Sequence, residues 1–188
     1  MKARPSPRFS SGLLRCAGLW LAFASSASAK VFLTQEEALA LAFPQGVAVA
    51  RRTAFLTPVQ QQEIKKLSGS ERLPGALVTS YVGRRDGREV GTAYFETHVV
   101  RTQPETLMVL VDPDGSIARI EVLSFAEPEE YLPRPVWYNQ FQGRKLDGEL
   151  ALSRGIRPVS GATLTARATL EAARRVLAIH QVLGRHAP

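Results

Sequence analysis

The strongest constraint on the fold is a period-two alternation of apolar and polar residues in the middle of the chain. Short turn-forming sequences separate the four stretches that show it, residues 76–84, 90–98, 106–112 and 117–125. Side chains at alternate positions of a β-strand face opposite sides of a sheet, so each stretch can bury one face. Because short connections join antiparallel strands, we predict a four-stranded antiparallel meander.

Two helices and a strand are predicted before the meander. Thr34 with Glu37 forms a capping box, and Thr57 followed by Pro58 is a second helix start. Residues 47–56 alternate loosely between these two helices and suit a strand.

A long amphipathic helix is predicted over residues 162–183. Its apolar residues recur at helical spacing, namely Leu164, Ala168, Ala172, Val176, Ile179 and Leu183. We expect the charged residues Arg167, Glu171, Arg174 and Arg175 to lie largely off that face. The fold class is therefore α+β, a twisted antiparallel sheet of about four to six strands packed against helices.

Residues 1–29 have the composition of a secretory signal. Lys2, Arg4, Arg8 and Arg15 occur without any acidic residue, and the apolar run 17–24 and the small residues 27–29 follow. We predict cleavage before Lys30, which leaves a mature domain of residues 30–188. The alternative is an uncleaved anchor, which would have to carry Arg15 into the bilayer or to its interface.

Cleavage would change both the charge and the redox chemistry of the chain. The signal holds four of the 24 basic residues and none of the 17 acidic ones, so the formal charge falls from +7 to +3. Nucleic acid is therefore not an expected partner. The single cysteine, Cys16, lies inside the signal, so we expect no disulfide and no cysteine-held metal or haem in the mature chain.

The sharpest local signal lies where an irregular loop enters the final helix, at Ser160, Gly161, Ala162, Thr163, Leu164 and Thr165. Free backbone N–H groups and aligned peptide dipoles at a helix start favour an anion, and small residues let a phosphate approach. The alternative is purely structural, with Ser160 as a helix cap and Thr163 and Thr165 as ordinary first-turn residues.

The Ser-Gly-Ala-Thr sequence at residues 160–163 resembles the attachment motif of the FMN-binding domain family. Members of this family include the C subunit of the sodium-pumping NADH:quinone oxidoreductase and the G subunit of the Rnf electron transport complex. Residues 112–117 with Val122 and Leu123 are similar to the family's strand-turn-strand. Its connecting loop is matched by Glu127, Pro128, Tyr131, Trp137, Phe141 and Gly143. The resemblance covers about residues 76–183, after a helical extension of residues 30–75.

The resemblance implies that Thr163 carries FMN through a phosphoester, donated from FAD by a flavin transferase outside the cytoplasm. It implies an exported electron carrier, periplasmic or on the outer face of the cytoplasmic membrane, rather than a stand-alone enzyme. Membrane or periplasmic redox proteins would be its partners, and peripheral membrane association is compatible with this. The expected cofactor-binding residues are Thr163, Ser160, Gly161, Ala162, Leu164, Thr165, Glu127, Tyr131 and Trp137, with Phe141 in the core.

One departure from the family pattern keeps an alternative open. Many members carry an aspartate three residues before the motif serine, where this chain has Arg157. The alternative is a non-flavinylated sensory or structural module of the same fold. A third alternative, independent of Arg157, is an enzyme with freely dissociable FMN. If flavin is attached, Arg157 and Arg167 are candidates to raise its potential by favouring the anionic reduced forms.

The remaining polar residues suggest no second chemistry. His98 ends a predicted strand and is expected to be structural, with proton donation as the alternative. Glu129 and Glu130 are expected at the surface, and residues 112–115 form a turn that lacks the later ligands of a calcium loop. The three histidines have no metal-ligand spacing.

Overall fold

The computed structural model describes residues 29–185, which form a six-stranded antiparallel sheet with helices on both faces. The strands are β1 (Lys30–Val31), β2 (Ala48–Phe55), β3 (Leu77–Arg85), β4 (Arg88–Val100), β5 (Gln103–Val111) and β6 (Ile117–Phe125). The helices are α1 (Gln35–Ala42), α2 (Pro58–Ser68), α3 (Pro135–Tyr138) and α4 (Thr163–Arg185). Two 3₁₀ turns, Glu129–Tyr131 and Asn139–Phe141, flank α3.

The predicted α+β class and the meander are confirmed. Strands β3 to β6 are sequential antiparallel neighbours, and β2 extends the sheet beyond β3 in the order β1-β6-β5-β4-β3-β2. Strand β1 was not predicted, because two residues paired with Phe125 and Ser124 are too few to show an alternation. The predicted signal, including Cys16, lies almost entirely in residues 1–28, outside the described residues, and stays a prediction.

Each face of the sheet carries its own apolar core. Helices α2 and α4 cover the larger one, which contains Leu107, Val109 and Ile120. Helix α1 covers the other through Ala38 and Phe43. Phe43 lies directly on Gly83, where an added Cβ would come within 2.4 Å of the ring. The two layers together bring the start of α4 next to the β4–β5 hairpin.

Helix α4 buries more of its surface than its apolar spacing indicated. Ala172, Val176 and Ile179 are buried as expected, whereas Leu164 is 50% exposed. Arg175 was expected off the packed face, and this was wrong: it is buried and its Nη2 lies 2.6 Å from Glu96 Oε1. A strand carboxylate thus makes burial of the guanidinium tolerable. No helix within residues 29–185 has the length and apolar character to cross a membrane.

Candidate functional site

The start of α4 has no side-chain cap. The Ala166 N–H donates to the Ala162 carbonyl at 2.9 Å, which makes Ala162 the N-cap residue. Alanine has no oxygen to offer, whereas Thr34 and Thr57 cap α1 and α2 with their hydroxyls. Ser160, the alternative cap, lies two residues earlier and is exposed. Among the described residues, the first-turn N–H groups of α4 therefore have no side-chain partner.

The turn before α4 presents the Thr163 hydroxyl to solvent. Gly161 has a φ of +83°, a left-handed conformation that a side chain disfavours, and the space where its Cβ would point is open. Thr163 is exposed, and its hydroxyl donates to the Val159 carbonyl at 3.2 Å. Ala162 is buried at 4% exposure and anchors this turn. The motif therefore offers a hydroxyl and free N–H groups on one side.

Thr165 fixes this first turn to the loop that precedes α3. Its side chain is buried, and its hydroxyl donates to the Tyr131 carbonyl at 2.5 Å. The predicted contact residues Thr165 and Tyr131 are thus brought together, and Thr165 has a structural role there. A buried hydroxyl without a hydrogen-bond partner is destabilising, so this bond fixes the position of α4 relative to the Glu129–Tyr131 turn.

A small cleft of about 160 Å³ opens at the 160–163 motif, lined by Arg101, Tyr131 and residues 161–165. The guanidinium carbon of Arg101 lies 4.4 Å from the centre of the Tyr131 ring, a cation–π arrangement. No sequence pattern indicated Arg101. It lies in the turn between β4 and β5, and only the pairing of Val100 with Gln103 reveals that position.

Glu127, expected as a flavin contact, anchors the β4–β5 hairpin. Its Oε1 accepts hydrogen bonds from the Thr102 N–H at 2.8 Å, the Thr102 hydroxyl at 2.9 Å and the Gln103 N–H at 2.9 Å. These bonds, with the Thr102 backbone bond the largest cause, hold the pKa of Glu127 below its ordinary value. The carboxylate therefore stabilises the turn that carries Arg101, and direct flavin contact by Glu127 stays a prediction.

Trp137 lines a larger cleft of about 720 Å³, which Val159, the residue before the 160–163 motif, also lines. Its indole N–H donates to the Arg157 carbonyl at 2.7 Å, and only 8% of the residue is exposed. Val136 and Val159 add apolar surface to this cleft, and four arginines line it, namely Arg134, Arg144, Arg154 and Arg157. None of the four forms an ion pair with a carboxylate in the described part of the chain.

The core under α4 contains a buried polar pair. His98 Nε2 and Glu105 Oε2 are 2.9 Å apart, and both side chains are nearly inaccessible. Burial raises the pKa of Glu105, and the hydrogen bond and charge of His98 oppose that shift. In this pair, His98 Nδ1 and Glu105 Oε1 have no hydrogen-bond partner among the described residues. Phe141 is fully buried, as predicted.

The described residues contain no cluster of three metal-ligating side chains. Residues 112–115 form the expected turn, closed by the Gly115 N–H donating to the Asp112 carbonyl at 2.9 Å. Asp114 accepts from both the Ser116 hydroxyl and the Ser116 N–H, which lowers the pKa of Asp114 to about 2. Glu129 is a surface residue paired with Lys30.

Comparison with protein families identifies the region that contains this site. Residues 102–178 match the family model described as FMN-binding domain. The match includes β5, β6, the 160–163 motif and most of α4, and it begins one residue after Arg101. A search of curated proteins found no similar protein. Residues 102–178 of this chain are therefore similar to the FMN-binding domain family, and this match supports flavin binding.

Proposed function

We propose that this protein is an exported electron carrier that holds one FMN through a phosphoester on Thr163. One observation supports the proposal most directly: the exposed hydroxyl of Thr163 lies at the uncapped start of α4, inside the matched domain. The free N–H groups and the helix dipole favour a phosphate there. The site thus fits the phosphate end of FMN.

Thr163 would be joined to the flavin by a phosphoryl-type transfer from FAD. Its Oγ1 forms a bond to the phosphorus of the FMN half, the pyrophosphate bond breaks, and AMP leaves. The hydroxyl proton passes to a base of the flavin transferase. Attachment removes the hydrogen bond from Thr163 to the Val159 carbonyl. This loss is small, because Thr163 is exposed and water can replace the donor.

The larger cleft suits a flat ring better than the small one. Ligand pockets usually measure roughly 300–1,000 Å³, and the cleft beside Trp137 has about 720 Å³ against about 160 Å³ beside Tyr131. Trp137 and Val136 supply apolar surface for stacking. When bound, FMN supplies one- and two-electron transfer. Arg157 contributes positive charge to this cleft, which favours added negative charge on a ligand held there.

The cellular setting is part of the same proposal. The composition of residues 1–29 supports export to the periplasm or to the outer face of the cytoplasmic membrane, where a flavin transferase and redox proteins would be the partners. A tethered cofactor keeps a high effective concentration at its site and is not lost by dilution. Electron relay between membrane or periplasmic partners would gain from that retention.

The intact mass of the purified protein tests the attachment. Wild type is produced in a host with an active flavin transferase, beside Thr163→Val and the control Thr53→Val, an exposed threonine of β2 outside the matched residues. We expect one FMN residue on wild type and on Thr53→Val, and none on Thr163→Val. An unmodified wild type would contradict the proposal.

The second candidate is a non-flavinylated sensory or structural module. The observation that favours it is the exposed Arg157 at the position where many members of the resembling family have aspartate. It predicts an unmodified mass in the same host. A dissociable-FMN enzyme predicts instead that denaturation releases the flavin into the supernatant, whereas covalent attachment predicts that the colour stays with the unfolded chain.

A further inference from the structure

We propose that Arg101 neutralises the phosphodiester on Thr163, and that Glu127 acts as a positioning residue for Arg101. The inference rests on the proposed attachment of FMN to Thr163. Arg101 is the one charged side chain among the described residues that line the small cleft, where it faces residues 161–165. A phosphodiester has one negative charge, so a single guanidinium balances it.

The chemistry of the guanidinium matches that of a diester. Two non-bridging oxygens remain on the phosphorus after attachment, and a guanidinium presents parallel N–H donors to such a pair. Arg101 is exposed, and its positive charge acts on the Glu127 carboxylate without a direct ion pair. Within the described residues its guanidinium N–H groups donate to no acceptor. The donors are therefore available to an incoming anion.

The backbone at Arg101 holds the side chain in an unusual place. Arg101 has a φ of +49°, in the left-handed region that residues other than glycine rarely occupy. Strained positions of this kind persist where the surroundings impose them, and they are frequent at functional sites. Thr102, next in the chain, supplies two of the three hydrogen bonds to Glu127 Oε1 that impose this turn.

Tyr131 links the guanidinium to the attachment helix. Its ring lies 4.4 Å from the Arg101 guanidinium carbon, and its carbonyl accepts the Thr165 hydroxyl at 2.5 Å. Arg101, Tyr131 and the first turn of α4 therefore form one connected unit. The unit holds the cation at the cleft that Thr163 also lines.

Phosphorus NMR of the flavinylated protein tests the inference without measuring electron transfer. The ³¹P resonance of the diester is recorded for wild type, Arg101→Gln, Glu127→Gln and the control Arg85→Gln. Arg85 is an exposed residue at the end of β3, beside the turn at the opposite end of β4. Wild type unfolded in urea supplies the resonance of a free diester.

We expect Arg101→Gln to move the resonance toward the unfolded position, Glu127→Gln to move it less, and Arg85→Gln to leave it in place. The double variant should equal Arg101→Gln alone, because Glu127 acts through Arg101. A wild-type resonance in Arg101→Gln would overturn the inference. If that variant is not flavinylated, Glu127→Gln decides: a resonance moved toward the unfolded position supports the inference, and a wild-type resonance overturns it. An unmodified wild type would instead overturn the proposed function.

Discussion

Glu105 and His98 show how a single buried pair makes stability depend on pH. The folded state raises the pKa of Glu105 above its ordinary 4.5, chiefly by burial. The folded chain therefore keeps this proton to higher pH than the unfolded chain does. The stability that protonated Glu105 contributes is fully present below about pH 4.5 and is lost as the pH rises through the pKa of Glu105 in the folded state.

We predict that Glu105→Gln removes the loss of stability that wild type shows as the pH rises. Urea unfolding at several pH values should show wild type losing free energy of unfolding relative to the variant as the pH rises from about 4.5. Glu71→Gln, at an exposed position, is the control and should follow wild type. If the free energies of unfolding of wild type and Glu105→Gln change in parallel with pH, ionisation of Glu105 does not destabilise the folded state, and the prediction is wrong.

A matched pair of glycines in and beside α4 should respond to alanine with opposite signs. Gly161 has a φ of +83°, so Gly161→Ala strains the backbone by about 1–2 kcal/mol although no atom obstructs the new Cβ. Gly184 lies within the helix with open space around it, so Gly184→Ala should stabilise by up to about 1 kcal/mol. Thermal or urea unfolding measures both, and a destabilising Gly184→Ala would contradict this account.

Between elements, the contact of α1 with the sheet depends on one missing side chain. The Phe43 ring occupies the place where a Cβ on Gly83 would lie, 2.4 Å from two ring atoms. Phe43 also ends α1 as its C-cap residue, so it cannot move without moving the helix end. An overpacked core forces such shifts at a cost.

We predict that Gly83→Ala destabilises the protein by about 1–3 kcal/mol. Gly75→Ala is the control, because the nearest atom to its new Cβ is 3.8 Å away. The additional variant Phe43→Leu should recover part of the loss if the clash with the ring is its cause, and chemical unfolding of the three variants checks this. Equal stabilities for Gly83→Ala and Gly75→Ala would show that a clash with the Phe43 ring does not destabilise the protein.

The elements differ in how far local sequence specifies them. Alternation over residues 76–125 and the capping threonines Thr34 and Thr57 are local signals, and β3 to β6, α1 and α2 follow them. The burial of Arg175 depends on Glu96, a strand residue 79 positions away. Arg101 is likewise placed by pairing between strands. Such long-range pairings leave no periodic pattern in the sequence. The contribution of Arg101 to the candidate site could therefore not be predicted.

Across the whole molecule, long side chains join segments that are distant in the chain. Arg174 is the clearest example, because its guanidinium donates to the Ser68, Asp147 and Leu150 carbonyls and so joins α2, α4 and the loop between α3 and α4. The two clefts are likewise lined by neighbouring parts of one segment, because Val159 lines the large cleft and residues 161–165 line the small one.

We predict that Arg157→Gln lowers the flavin midpoint potential by about 30 mV, equivalent to about 1.4 kcal/mol for a two-electron couple. The cause is loss of a positive charge from the large cleft, which Arg157 lines. Arg167→Gln should change the potential less, because Arg167 lines neither cleft. Spectroelectrochemical titration measures both, and a larger shift for Arg167→Gln would place the ring elsewhere.

The position of the motif at the start of the last helix has a consequence for the order of biosynthesis. The small cleft needs the β4–β5 hairpin, the Glu129–Tyr131 turn and the first turn of α4, and α4 packs only after its 23 residues have been made. A chain interrupted before that point lacks the assembled cleft. A modifying enzyme that reads the assembled cleft would thus leave chains that stop before α4 colourless, so that yellow colour would report a chain synthesised through α4.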